Sequence, residues 1–117
     1  MEEKKPMKKS LRKEALMPGG APRYIKVFDN GGKTYDRYTC VFSKKSIIDK
    51  EDRKYYGTRF MFVGMSEDPF HPLGFGQHGE LEPQHIGSHL GKRIKFDALP
   101  EDCKKLVIQD YKYLWDL

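Results

Sequence analysis

All four histidines of the chain lie between positions 71 and 89, as His71, His78, His85 and His89. Neutral imidazole is the commonest nitrogen ligand for zinc and its neighbours. The run Glu82-Pro-Gln-His-Ile-Gly-Ser-His-Leu-Gly91 has Pro near its start and Gly at its end, which is the punctuation of a short helix. On that helix His85 and His89 stand at i, i+4 and share a face, a spacing that suits two ligands on one ion. Glu80 or Glu82 would then serve as an oxygen ligand or as a base acting on bound water. The chemistry is that of a metal-dependent hydrolase or nuclease holding one divalent metal such as zinc on His71, His78, His85 and His89. Against it stand the absence of HExxH and CxxC motifs and the presence of Gly87, which lowers helix propensity by about 1 kcal/mol relative to Ala. In the competing reading the histidines cap turns, stack on Phe70 and Phe75 and bond loop carbonyls, and no cofactor is required.

Other chemistries find less support. Gly74-Phe-Gly-Gln-His-Gly79 could bring backbone close to a phosphate or form an anion-binding nest. It is neither a P-loop nor a dinucleotide fingerprint; a compact surface loop pinned by Phe70, Leu73 and Phe75 is the simpler reading. Ser66 has Glu67 and Asp68 beside it but no G-x-S-x-G elbow. Cys40 falls mid-strand and Cys103 on an apolar helix stripe, so both read as packed small hydrophobes. No catalytic residue is assigned, and the chain reads as a binding protein rather than an enzyme.

Charge points to a class of partner. Residues 1–23 carry seven Lys/Arg against three Glu, so they hold +4 of the formal net charge of +5. A basic arm attracts nucleic acid or an acidic protein surface. Lys4, Lys5, Lys8, Lys9, Arg12 and Lys13 of this arm, with Lys92, Arg93 and Lys95, are the candidate phosphate contacts. Tyr24, Tyr35, Phe70 and Phe75 could stack on bases, and Gln77 and His78 belong to the same contact surface. The partner is nucleic acid or a nucleic-acid-associated host protein. No apolar run is long enough for a membrane span, no secretory leader is evident and there is no disulfide framework, which together place the protein in the cytoplasm.

The elements that must position these residues can be read from periodicity. The 117 residues suit one domain. Met17-Pro-Gly-Gly-Ala-Pro22 separates a disordered basic tail, 1–22, from a body that begins at Arg23. Tyr24 to Phe28 reads as a strand, Asp29-Asn-Gly-Gly32 as a turn, and Thr34 to Phe42 as the return strand with Tyr38, Cys40 and Phe42 on one face. The charged stretch from Lys44 to Gly57 is a connection with room for a short helix around Ile48 to Tyr55. Arg59 to Met65 is apolar enough for a central strand. The glycine- and proline-rich stretch 64–91 reads as one long functional loop. Lys92 to Phe96 alternates as a half-buried strand. Pro100, Glu101 and Asp102 open a C-terminal helix whose stripe runs through Cys103, Leu106, Val107, Tyr111, Leu114 and Trp115. The fold class is α+β: a mainly antiparallel sheet of about four strands with the helix packed on one face.

Two resemblances attach to these motifs. The stretch from Phe60 to Pro69 looks superficially like the second strand of GIY-YIG nucleases. Phe62-Val63-Gly64 replaces the catalytic Tyr-Ile-Gly, however, and the family's arginine-bearing helix does not follow. Asp29-Asn-Gly-Gly-Lys-Thr-Tyr-Asp-Arg-Tyr-Thr39, Gly64 to Gly79 and Leu99-Pro-Glu-Asp-Cys-Lys-Lys-Leu106 resemble small uncharacterised proteins of phages and other mobile elements, over residues 24–112. That resemblance implies a phage or mobile-element origin and an intact domain, and no particular activity.

Overall fold

The computed structural model describes residues 14–48, 58–74, 76–115 and 117. Its core is a five-stranded antiparallel sheet of β1 (Ile25–Asp29), β2 (Tyr38–Ile48), β3 (Thr58–Met65), β4 (Gly76–Leu81) and β5 (Lys92–Ile94), followed by helix α1 (Glu101–Trp115). The strand order is β4-β3-β2-β1-β5. The architecture is therefore α+β, with one strand more than the sequence predicts.

The β1–β2 hairpin forms where Asn and Gly accept positive φ cheaply. Gly31 and Gly32 have φ of +76° and +89°. Their amides donate to the Asp29 and Asn30 side chains, each at 2.8 Å. The Asn30 side-chain amide also donates to Thr34 Oγ1 at 2.7 Å and to the Asp36 carbonyl at 3.3 Å. These local bonds hold residues 30–37 in the turn, so pairing starts at Tyr38 rather than at Thr34. β2 then continues to Ile48, with a register irregularity between Val41 and Ser46. Residues 49–57, over which the sequence leaves room for a short helix, lie outside the described residues.

Period two divides the sheet into two faces. Val27, Tyr38, Cys40, Phe42, Val63 and Met65 meet Cys103, Val107, Tyr111 and Trp115 of α1. The four helix residues recur every four positions and are all fully buried. Each large apolar side chain so buried contributes about 1.5–3 kcal/mol. Phe42 meets Tyr111 edge-on, with ring centroids 5.8 Å apart. Ala15 is fully buried in this core, Arg23 N–H donates to its carbonyl at 2.9 Å, and the Tyr111 hydroxyl donates to the same carbonyl. The packed body therefore takes in Ala15 and the residues after it.

The opposite face carries Phe28, Thr39 and Val41, all buried. Every neighbouring pair is antiparallel, so β4 and β5 run in the same direction. The chain between them must cross a face of the sheet to return. It crosses this second face, where Ile86 and Gly87 stand against Lys26 and Phe28. The stretch 64–91 is thus not one loop: residues 76–81 are an edge strand. Its sequence, GQHGEL, lacks apolar alternation because Gly79 lies under the Phe62 ring, where an added Cβ would stand 2.6 Å from Phe62 Cε1. Nor do residues 82–91 form one helix. They make two separate 3-10 turns, Pro83–His85 and Ser88–Leu90, and end at Gly91 with φ of +118°.

Candidate functional site

Three clefts adjoin through shared lining residues, each between β1 or its turn and a segment that returns to it. The first, of about 480 Å³, lies between the β1–β2 turn and the loop after β3; Lys33, Tyr35, Arg37, Asp68, His71 and Leu73 are among its lining residues. The Tyr35 hydroxyl donates to the Leu73 carbonyl and ties the two walls together. The second, of about 610 Å³, sets Asn30, Gly31 and Lys33 of the turn against Ser88 and His89 of the crossover and Lys92 of β5. The third, of about 440 Å³, sets Lys26 and Phe28 of β1 against Ile86, Ser88, Lys92 and Arg93. Lys33 belongs to the first and second clefts, Lys92 to the second and third.

Along this track cations predominate in the second and third clefts, whereas the first also holds the carboxylates Glu67 and Asp68. Among the described residues Lys33, Lys92, Lys26 and Arg93 line the second and third clefts, and Asp29 is the single carboxylate there. Asp29 is held by Arg37, whose Nε and Nη2 donate to its two oxygens at 2.8 and 3.1 Å. That bidentate bond holds the Asp29 carboxyl below its usual range and raises the Arg37 guanidinium above its own, with Glu67 as a second acceptor. Arg37 also stands over the Tyr38 ring, 5.1 Å from its centroid. It is therefore a structural cation joining β1, β2 and the loop after β3. Arg93 lies over the Phe28 ring at 5.6 Å, which fixes a second guanidinium beside the third cleft. Tyr35 and Phe70, 63% and 53% exposed, offer aromatic faces on the two walls-forming segments at the Lys33 end.

The structure separates the four histidines. His71 lines the first cleft, where its Nδ1 accepts the Leu73 N–H at 3.1 Å. His78 projects from β4 on the helix side, with Nε2 2.6 Å from Asp110 Oδ2 of α1. His85 closes the first 3-10 turn and His89 is the middle residue of the second, so they do not share a helical face. Glu80 pairs with Arg59 at 3.2 Å, and Glu82 accepts from Gln84. Among the described residues no three His, Cys, Asp or Glu side chains come together as a group that could hold a metal ion.

Of the predicted contact residues, Lys92 and Arg93 fall in the track and Lys95 follows directly after β5. Phe70 is exposed on the loop after β3, and Gln77 lies on β4 at the far edge of the sheet. Lys4, Lys5, Lys8, Lys9, Arg12, Lys13 and Phe75 lie outside the described residues. Sequence reasoning missed Lys26 and Lys33. The alternation Lys26-Val27-Phe28 was a usable signal for the first; a lysine in a glycine turn carries none. The thiols do not contribute nucleophiles: burial pushes Cys40 well up and Cys103 to about 12, the latter helped by Asp102. No helix among the described residues is long and apolar enough to cross a membrane. No family model, curated protein or solved structure matches the chain.

Proposed function

We propose that the protein is a non-enzymatic binding module for single-stranded nucleic acid. The strand lies along the three clefts, with its phosphates on Lys33, Lys92, Lys26 and Arg93 and its bases over Tyr35 and Phe70. The observation that carries this reading is the row of four cations lining two adjoining clefts whose one carboxylate is held by Arg37. Such a row favours a polyanion without sequence preference, and exposed aromatics favour unpaired bases, whose faces are open. The basic residues of 1–13 add long-range attraction to the same ligand.

Fluorescence anisotropy of a labelled oligonucleotide, titrated against salt, tests this. Lys92→Glu with Arg93→Glu weakens binding and flattens the plot of log affinity against log salt by about 0.7 per lost phosphate contact. Lys105→Glu, on the exposed side of α1, leaves both unchanged. Equal binding by the double variant, or salt-independent binding, would discard the reading. Capture of a protein from nuclease-treated lysate, with no oligonucleotide binding, would direct the same surface to an acidic protein partner instead.

A further inference from the structure

The two edges of the sheet are built differently. β5 is three residues long, contains Lys92 and Arg93 and is followed by Lys95. A short, cationic strand is a common guard against edge-to-edge pairing. β4 has no such guard. It is six residues long, pairs with β3 at every position from Gly76 to Leu81 without a bulge, and contains neither Lys nor Pro. Among the described residues no strand pairs with its outer side.

The side chains of β4 are self-complementary about Gly79. In an antiparallel pair centred there, Gly79 faces Gly79, His78 faces Glu80 of the second copy, and Gln77 faces Leu81. Side chains directly opposite each other are the unit of sheet stabilisation, and opposite charges favour the pair. Each member is already oriented within its own chain. His78 stands 2.6 Å from Asp110, and Glu80 stands 3.2 Å from Arg59. The row across the join therefore reads Asp110, His78, then Glu80 and Arg59 of the second copy, with alternating sign when the imidazole is protonated. The two-fold axis repeats it. An unrelated extended peptide would have to supply this pattern; a second copy has it by symmetry.

We propose that the chain forms a two-fold dimer by antiparallel pairing of β4 with β4 of a second copy, centred on Gly79. Two five-stranded sheets become one, and the cationic β5 edges lie at its far ends. Because β4 and β5 are opposite edges, the dimer does not rest on the nucleic-acid reading.

Light scattering during size-exclusion chromatography of the full chain reports the mass, and hydrogen exchange at rising protein concentration reports where the copies meet. The expected result is twice the 13.7 kDa chain mass, with concentration-dependent protection confined to amides of 76–81. Glu80→Lys, which sets a lysine opposite His78 on both sides of the axis, weakens the dimer by about tenfold or more. A monomer at every concentration overturns the proposal. So does a dimer whose 76–81 amides exchange as in the monomer, or a folded Glu80→Lys protein that dimerises as before. Should that variant fail to fold, exchange on the unaltered chain decides alone.

Discussion

Gly91 is where the crossover is pinned to the sheet, and replacing it by alanine tests how the cationic track is positioned. A Cβ at this position would stand 2.4 Å from the Asp29 carbonyl oxygen, 2.5 Å from its carbon and 2.6 Å from Asn30 N. All three are backbone atoms of β1 and its turn, so no side chain can rotate aside. Its φ of +118° and ψ of −166° are a second obstacle. A non-glycine residue in such a region costs about 1–3 kcal/mol. Relieving the overlap requires β5 to move from β1, which adds about 1–3 kcal/mol. The expected loss is therefore about 2–6 kcal/mol, a large share of the roughly 5–15 kcal/mol that holds a domain together. Trp115 is the chain's one tryptophan and is fully buried, so its fluorescence in a urea titration reports unfolding. Gly87→Ala is the control: its φ is −177°, and the nearest atom to an added Cβ is His89 Nδ1 at 3.7 Å. That variant should stay within about 0.5 kcal/mol of the parent. A loss below about 1 kcal/mol for Gly91→Ala, or equal losses at the two glycines, would refute the account of how the crossover is held.

Three further outcomes follow from the same geometry. Tyr111→Phe removes the hydroxyl that donates to the Ala15 carbonyl and accepts the Tyr24 amide at 3.2 Å, and should cost about 1–3 kcal/mol in a urea titration. Asp29 is held below its usual value of 3.8 first by the hydrogen bonds from Arg37. Its contribution is therefore present above that value and lost as pH falls through the lower folded value; urea midpoints between about pH 5 and about pH 2 should fall less steeply in Asp29→Asn. Cys40 and Cys103 are buried free thiols with raised pKa, so a thiol-specific chromogenic reagent should react slowly with the native protein and titrate two groups per chain only in denaturant.

Much of the scaffold was legible because it is encoded locally. The Asp29-Asn-Gly-Gly32 turn, the β1–β2 hairpin, the apolar run of β3 and the stripe of α1 each carry their own period or punctuation, and each forms there except that β2 starts at Tyr38 and runs on to Ile48. β4 carried no pattern, because its glycines are explained by the Phe62 ring of the neighbouring strand and not by anything within residues 76–81. The supposed helix over 82–91 failed for a related reason: Gly91 serves a close approach to β1, a contact invisible along the chain.

The candidate site divides in the same way. Composition alone determined that the protein is basic, that its cysteines form no framework and that residues 92–95 are cationic. Only tertiary structure decided that Lys26 and Lys33 join Lys92 and Arg93, that Arg37 holds the Asp29 carboxylate beside them, and that the four histidines go to separate places. Spacing along a chain predicts proximity only within a turn or one regular element. Here β4 and β5 lie at opposite edges of the sheet, and the crossover between them separates His78 on β4 from His85 and His89 in its two 3-10 turns, while the β1–β5 pairing brings Lys26 and Arg93 to one cleft.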